Sequence, residues 1–512
     1  MENRLQSKVD KSTLKTYLGY LFPSVLGMLV IAAYIFTDTF VVGFALGRTG
    51  LSAIGIGTPI TVSLIALGYL FGEGGSAAYS ILMGANDKKR ARQIYTTSIL
   101  LGILTSIVYI IIGIVFIEPI SYFLGASKEN ISYVIEYNKY IIWFSPAIIL
   151  NMAIGSFIRN DGKPKVAMIA TTIGSVANMI LDVLFVIVLN MGMAGASIAT
   201  GLGSVITLVI NIGYSYIAKR NLRITLFKLK FSDIKRVYKN GFGPFVMELS
   251  VAVINLVYNL VALKYYGELG VSAYTIVQNW NLIALDLIVG VGQATQPLIS
   301  LNKGKGDLDK VKTYKNYGFI SCLMLGVVFL FTWIFGSNEL ASVFIVDDLP
   351  LLQTSSYALK IVSCTYVFLA LTLMFGYYYL GIEKSHQSMI INISRGFLFP
   401  LILVFMLPVL IGKIGVWVSI PLAEGLSAIV GIVIYFITNY KEKHPKRNHL
   451  IEPPLKSVEE NLQGIKELDE HTKEDIRESS LLCKKEKSEM QIEQSNLEDN
   501  VFVDNNKFNQ HN

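Results

Sequence analysis

The 512-residue chain is predicted to be an all-α integral membrane protein, with twelve transmembrane helices in two six-helix lobes. Three observations predict it. About twelve apolar segments have bilayer length, the loops between them alternate between basic and nearly uncharged, and one register recurs at about 220 residues. The composition agrees, with 53% apolar and only 16% charged residues, against about 25% charged in soluble globular domains. A net charge of +7 over this length is too weak a field for a nucleic-acid binder. Cys322, Cys364 and Cys483 are too scattered for a disulfide framework or a CxxC metal pair. Of five histidines, only His386 precedes residue 440, so no histidine cluster lies in the apolar region. No nucleophile triad, metal cluster or phosphate loop is visible, and the chain is not expected to be an enzyme.

The apolar segments fall at 15–40, 52–78, 93–117, 133–158, 165–188, 193–217, 238–264, 271–299, 315–336, 354–380, 387–410 and 415–438. Each reaches the roughly 20 residues that a bilayer crossing needs. The first 14 residues are polar, and the first span is too long for a cleaved signal peptide, so it is expected to stay in the mature protein. One alternating set of loops is basic, with Lys88, Lys89, Arg90 and Arg92, then Arg159, Lys163 and Lys165, then eight Lys and Arg between 218 and 239. Basic loops favour the cytoplasmic side. Both termini are therefore expected in the cytoplasm, which requires an even number of spans. The expected organisation is a cytoplasmic segment 1–14, a first lobe 15–217, an inter-lobe loop 218–237, a second lobe 238–438 and a cytoplasmic tail 439–512. Residues 441–512 carry 12 Lys+Arg and 16 Asp+Glu, whereas the first 440 carry 32 and 21. A tail so charged cannot bury enough apolar surface to offset chain entropy and reads as disordered.

The repeat pairs Pro23 with Pro244, Gly47-x4-Ser52-Ala53 with Gly267-x4-Ser272-Ala273, and Gly72 with Gly292. Gly84-Ala85-Asn86-Asp87 recurs as Gly304-Lys305-Gly306-Asp307, and Gly195 matches Gly415. Halves of six spans share one orientation, so they form parallel repeats about an axis along the membrane normal. In transporters that arrangement puts the substrate path between the repeats. The halves differ in their acids. Asp38 in the first span pairs with Asn259, and Asp182 in the fifth pairs with Ile402. A charge near the bilayer centre costs roughly 2.5–3.5 kcal/mol and persists where it has a partner or faces a cavity. Asn178 lies one turn before Asp182 on the same helical face. Two such carboxylates are expected to share a proton or take a cation such as Na⁺, coupling an ion gradient to a conformational change. The plainer alternative sets Asp38 near a membrane face and Asp182 in a packing hydrogen bond.

The segments Phe36-Thr37-Asp38-Thr39-Phe40-Val41-Val42-Gly43, Leu67-Gly68-Tyr69-Leu70-Phe71-Gly72, Asn178-Met179-Ile180-Leu181-Asp182 and Gly195-Ala196-Ser197-Ile198-Ala199-Thr200 carry a resemblance. In this order and spacing the chain resembles the multidrug and toxic compound extrusion (MATE) transporters, in particular the bacterial DinF-like branch, over roughly residues 12–438. The resemblance implies two lobes around a V-shaped central cavity that opens alternately to either side. It implies a cation site at Asp38, Asn178, Asp182 and Thr200, with Tyr34 in the same network and Na⁺ or H⁺ as the coupling ion. It also implies a helix-bending role for Pro23. Where some relatives carry further acids, this chain has Gly155, Gln293 and Ala252, with Glu248 one turn before the last of these.

Other embedded polar residues are Glu73, Glu248, Asp286, Arg395 and Glu424. Glu248 and Asp286 are candidate contacts for a cationic substrate, together with Gln293 and, through its ring, Trp280. Glu424 is expected to pair structurally with Arg395. The leading expectation is a monomeric, multi-pass antiporter of the cell membrane. It needs no cofactor beyond its coupling ion, and it exports small amphipathic organic cations. A lipid-linked oligosaccharide flippase of the same superfamily would line its cavity with several Arg and Lys. A non-transporting scaffold would act through its tail.

Overall fold

The structure is a computed structural model describing residues 2–217, 221–225, 228–345 and 348–443. Two compact units are distinguished, Met1–Phe436 and Ile437–Asn512. In the second, only the end of the last helix, Gly415–Lys443, falls within the described residues. The disorder expected of the tail therefore lies almost wholly outside them, as do Lys219, Arg220 and four of the five histidines. In the inter-lobe connection, residues 221–225 and 228–230 are non-helical and the chain becomes helical again at Phe231, earlier than the sequence predicted.

The described residues are helical, without strands. In lipid this follows from backbone chemistry, because each N–H and C=O must be satisfied within its own segment. The spans are Lys11–Gly47, Thr49–Gly84, Lys88–Val115, the bent pair Ile131–Trp143 and Ser145–Asn160, Pro164–Val188, and Gly192–Ser215 in the first half. The second half holds Phe231–Tyr266, Glu268–Gly304, Leu308–Phe335, the bent pair Leu349–Val362 and Thr365–Gly381, and Ser385–Tyr440. This last stretch runs 56 residues. That is more than twice the crossing length, and Gly412 at φ 71° divides it, giving twelve crossings. Leu104, Ile111, Val115, Leu256, Phe405 and Val409 each leave more than half of their surface outside the protein. Such exposure suits hydrocarbon and not water.

The repeat is visible in backbone detail. Gly47 and Gly267 adopt φ 61°, ψ −149° and φ 69°, ψ −156°, a conformation open to glycine, and each separates the first two spans of its half. Asp87 and Asp307 cap the third and ninth spans, accepting from the backbone N–H of Arg90 and Lys310 at 3.0 Å. The fourth and tenth spans bend by 51° and 46°. Each was predicted as one continuous helix. The first acquires its bend at Phe144, beside Pro146, whose ring cannot continue the ladder. The fifth and eleventh spans contain π-helical turns at Val183–Val188 and Ser394–Leu398.

The halves meet through the first and second spans of one and the seventh and eighth of the other. Lipid supplies no hydrophobic drive between helices, so close packing of small residues carries the contact. A Cβ on Gly84 would lie 2.2 Å from the Leu301 carbonyl, and one on Gly304 would lie 2.0 Å from that of Ile81. A Cβ on Gly241 would meet the Leu70 carbonyl at 1.9 Å, and one on Gly290 would meet the Val25 Cα at 2.9 Å. Polar bonds add to these contacts. The Tyr17 hydroxyl donates to Ser321 Oγ (2.9 Å), Asn160 Nδ2 donates to Gln296 Oε1 (3.1 Å), and Arg90 Nη2 approaches Asp233 Oδ1 (3.5 Å). Gly84, Gly304, Arg90 and Asp233 sit at the end that carries the basic loops.

Gly241→Val places side-chain atoms against the Leu70 backbone and should destabilise the closed arrangement by about 1–3 kcal/mol. Spin labels at the exposed positions 89 and 305 should then report a longer distance between the halves. An unchanged distance and melting temperature would remove the glycine contact from the account.

Candidate functional site

Asp38 lies in the first span nine residues before Gly47, and Asp182 ends the α-helical part of the fifth span. Both are buried, and their carboxyls lie within electrostatic reach of each other. Neither Oδ1 atom has a hydrogen-bond partner among the described residues. Asn178, one turn before Asp182, bridges to the sixth span. With the amide oriented to satisfy its neighbours, its nitrogen donates to Asp182 Oδ2 (3.3 Å) and its oxygen accepts from the Thr200 backbone N–H (3.1 Å). The Thr200 hydroxyl donates to the Ala196 carbonyl at 3.1 Å. Two glycines allow this approach. A Cβ on Gly203 would press on Asn178 Cβ at 2.9 Å, and one on Gly174 would overlap the Thr207 hydroxyl. The π turn after Asp182 changes the helix register at this point, a feature frequent at functional sites.

The residues predicted from sequence, Asp38, Asn178, Asp182 and Thr200, are thus brought together from three spans. Tyr34, one turn before Asp38, lies within electrostatic reach of Asp38, Asp182, Asp286 and Glu248. It lines a cavity with Tyr69, Asn178, Thr200 and Gln293. Gln293 comes from the eighth span, so this cavity opens onto the boundary between the halves. Glu248 and Asp286 lie within electrostatic reach of each other, and both within reach of Tyr69.

Pro23 is buried in the first span, where Gly47 is the only residue with non-helical dihedrals from Glu2 to Gly84. Two expectations meet a different geometry. Trp280 packs edge-on against Trp333 and Phe344 and donates from Nε1 to the Leu340 carbonyl (3.1 Å), which makes it part of an aromatic cluster. Arg159, counted from sequence among the loop cations, lines the Tyr34 cavity. It lies in the last turn of Ser145–Asn160, where it donates to Ser156 Oγ (2.9 Å) and lies within electrostatic reach of buried Glu73. Tyr137 was not singled out, yet it is buried within reach of Asp38, Asp182 and Tyr34. Gly57 makes room for its ring, since a Cβ there would sit 2.7 Å from Tyr137 Cδ1. No spacing in the sequence marks Tyr137.

The second half has a corresponding cavity with different chemistry. At the repeat offset, Tyr34, Thr200 and Gly203 correspond to Asn255, Ile420 and Ala423, which line it. Ser175 and Ser204 of the first cavity correspond to Arg395 and Glu424. These form the expected ion pair, Nε to Oε1 at 2.8 Å, and the Thr372 hydroxyl donates to Glu424 Oε2 at 3.0 Å. Asn259, the counterpart of Asp38, has a buried Oδ1 without a partner among the described residues.

A sequence profile described as MatE matches residues 23–184 and 245–406, one block in each half. The multidrug export protein MepA of Staphylococcus saprophyticus is 24% identical over 430 residues, covering 83% of this chain and 94% of its own length. MepA of Staphylococcus aureus is 25% identical over 433 residues, covering 83% and 93%. A solved outward-facing multidrug resistance MATE family transporter of the MOP superfamily superposes with a TM-score of 0.79 at 24% identity, over 83% of this chain and 96% of its own. A MOP superfamily transporter from Pyrococcus furiosus, described as having a binding pocket of reverse polarity, gives 0.79 at 24% identity over 84% and 97%. At these identities the structural likeness is one of fold.

Removing one member of a buried ion pair leaves an uncompensated charge. Arg395→Met alone should lower stability in detergent by about 3 kcal/mol, and Arg395→Met with Glu424→Gln should recover most of it. Thermal unfolding of the two variants checks this, and equal melting temperatures would contradict a structural pairing.

Proposed function

The chain belongs to the MatE family, and we propose that it is a cation-coupled antiporter exporting amphipathic organic cations across the cell membrane by alternating access. The observation that carries the coupling is the buried pair Asp38 and Asp182, each with one oxygen lacking a partner among the described residues. Asp38, Asp182, Asn178 and Thr200 offer only oxygen ligands, the donors that Na⁺ prefers, and the carboxylates equally offer a place for a proton. The coupling ion is cargo, taken from one side of the membrane and released on the other. With it bound, the repulsion between the two carboxylates is relieved, and the first, fifth and sixth spans can pack around a neutral or singly charged site. Asn178 transmits the state of Asp182 to the Thr200 backbone. On this reading the coupling set is that of the DinF-like branch, and Pro23 bends the first span in one of its two states.

The cargo path runs between the halves. Glu248 and Asp286 attract the cationic group, while Tyr34, Tyr69 and Gln293 supply ring faces and hydrogen bonds. Tyr34 lies within reach of both acid pairs, so the coupling ion and the organic cation compete for one electrostatic field. The basic loops support a cytoplasmic position for the glycine-packed end and for both termini. That end is closed by Gly84, Gly304 and Gly241, which supports a resting state open to the outside. Acids outnumber Arg159 and Arg395 around the path, which favours a cationic cargo over the pyrophosphate of a lipid-linked oligosaccharide. One charge moving across 100 mV contributes about 2.3 kcal/mol to the cycle.

Asp182→Asn keeps the shape of the side chain and the bond to Asn178 but removes the exchangeable charge. The purified variant in proteoliposomes should still bind a fluorescent organic cation, while export driven by an imposed ion gradient falls at least tenfold. Export at the wild-type rate would sink the coupling role of Asp182.

A further inference from the structure

Among the described residues, three other than glycine adopt positive φ: Asn86, Asn190 and Glu383. Asparagine tolerates the left-handed region, whereas a glutamate there meets the full backbone cost. We propose that Glu383 is a positioning residue for alternating access. With Arg236 it holds the amide of Asn240 against the Gly74 carbonyl, and so latches the halves together at the end that carries the basic loops. The latch rests on the transport reading for its purpose, but not for its existence.

Glu383 lies in the turn between Thr365–Gly381 and the helix that starts at Ser385. Its backbone N–H donates to the Leu380 carbonyl (3.0 Å), and that of Lys384 donates to the Tyr379 carbonyl (2.9 Å), which closes the tenth span. A helix end of this kind usually takes glycine. The first half does so. At the offset that pairs Pro23 with Pro244, Glu383 corresponds to Gly162, at φ 87°. The turn itself therefore does not call for a glutamate.

The carboxylate organises its surroundings. Arg236 donates to both of its oxygens, from Nε and Nη2, each at 2.7 Å. Asn240, one turn further along the seventh span, donates from Nδ2 to Glu383 Oε1 (2.7 Å), and its Oδ1 accepts from the Ser385 hydroxyl. Between a carboxylate and a hydroxyl donor, this buried amide has one orientation. Its nitrogen also reaches the Gly74 carbonyl of the second span (3.4 Å). Glycines on both spans permit the approach, since a Cβ on Gly74 would lie 2.4 Å from the Val237 carbonyl and 2.6 Å from the Gly241 nitrogen. In this network only the bond to Gly74 crosses between the halves. It is also the longest, so it can break when the halves part while the rest stays assembled. The first-half counterparts of Arg236, Asn240 and Glu383 are Lys15, Gly19 and Gly162, which offer neither the amide nor the carboxylate. The frame shared by the two halves does not demand the network.

The test uses the purified full-length chain in nanodiscs without any gradient, with spin labels at the exposed positions 89 and 305. Glu383→Gly relieves the turn but removes the carboxylate. Glu383→Gln keeps the shape without the charge, and Asn240→Ala removes the crossing group itself. Each should enlarge the long-distance population about threefold. If Glu383 served only the turn, the glycine variant would leave that population unchanged or reduce it. Because Glu383 acts through Asn240, Asn240→Ala with Glu383→Gln should shift the distance no further than Asn240→Ala alone. Thermal unfolding establishes which variants are folded, and the glutamine variant decides where the glycine variant is not. An unchanged distance in a folded Glu383 or Asn240 variant, or additive shifts in the double variant, would overturn the proposal. Shifted distances in a protein whose wild type shows no gradient-driven export would support the latch and remove the transport reading.

Discussion

The structure depends on the cost of placing two carboxylates side by side away from water. A buried charge is tolerated only when something compensates it, and at Asp38 and Asp182 the surrounding protein compensates incompletely. The amide of Asn178 serves one oxygen of Asp182, and Oδ1 of each aspartate has no donor among the described residues. Much of the local architecture serves this arrangement. Gly174 and Gly203 let the fifth and sixth spans approach, the π turn after Asp182 adjusts the register, and Gly57 admits the ring of Tyr137. Close packing fixes the geometry, and on the proposed reading the missing donors are what a small cation replaces.

The second half preserves the frame and changes the chemistry. Positive-φ glycines, capping aspartates, bent spans and π turns recur in it. The acid pair does not, since Asn259 and Ile402 stand where the acids would be. The second half holds instead the ion pair of Arg395 with Glu424. On the proposed reading one half changes its charge state and the other keeps its own, and that asymmetry lets a single ion bias the relation between two otherwise similar halves.

The features legible in the sequence were those with a one-dimensional signature. Hydropathy marked the twelve crossings, the 220-residue register marked the halves, and the unmatched acids marked Asp38 and Asp182. The i,i+4 spacing put Asn178 beside Asp182, and the expected pairing of Arg395 with Glu424 is present. Arg159 was misread because charge near a span end looks alike whether it faces a loop or a cavity. Only the helix phase, which turns it toward Glu73, separates the two. Trp280 was misread for a related reason, since an aromatic ring suits a substrate and a packed cluster equally well. Tyr137 left no signal, because its place beside Asp38 is created by a glycine 80 residues away.

The most direct measurement is export of a fluorescent organic cation from wild-type proteoliposomes under separately imposed Na⁺ and H⁺ gradients, with the membrane potential clamped. The account predicts that at least one of these gradients accelerates export, and that its collapse returns the rate to the passive leak. Export at one rate under either gradient and under neither would contradict the view that the buried carboxylate pair couples ion entry to cargo release.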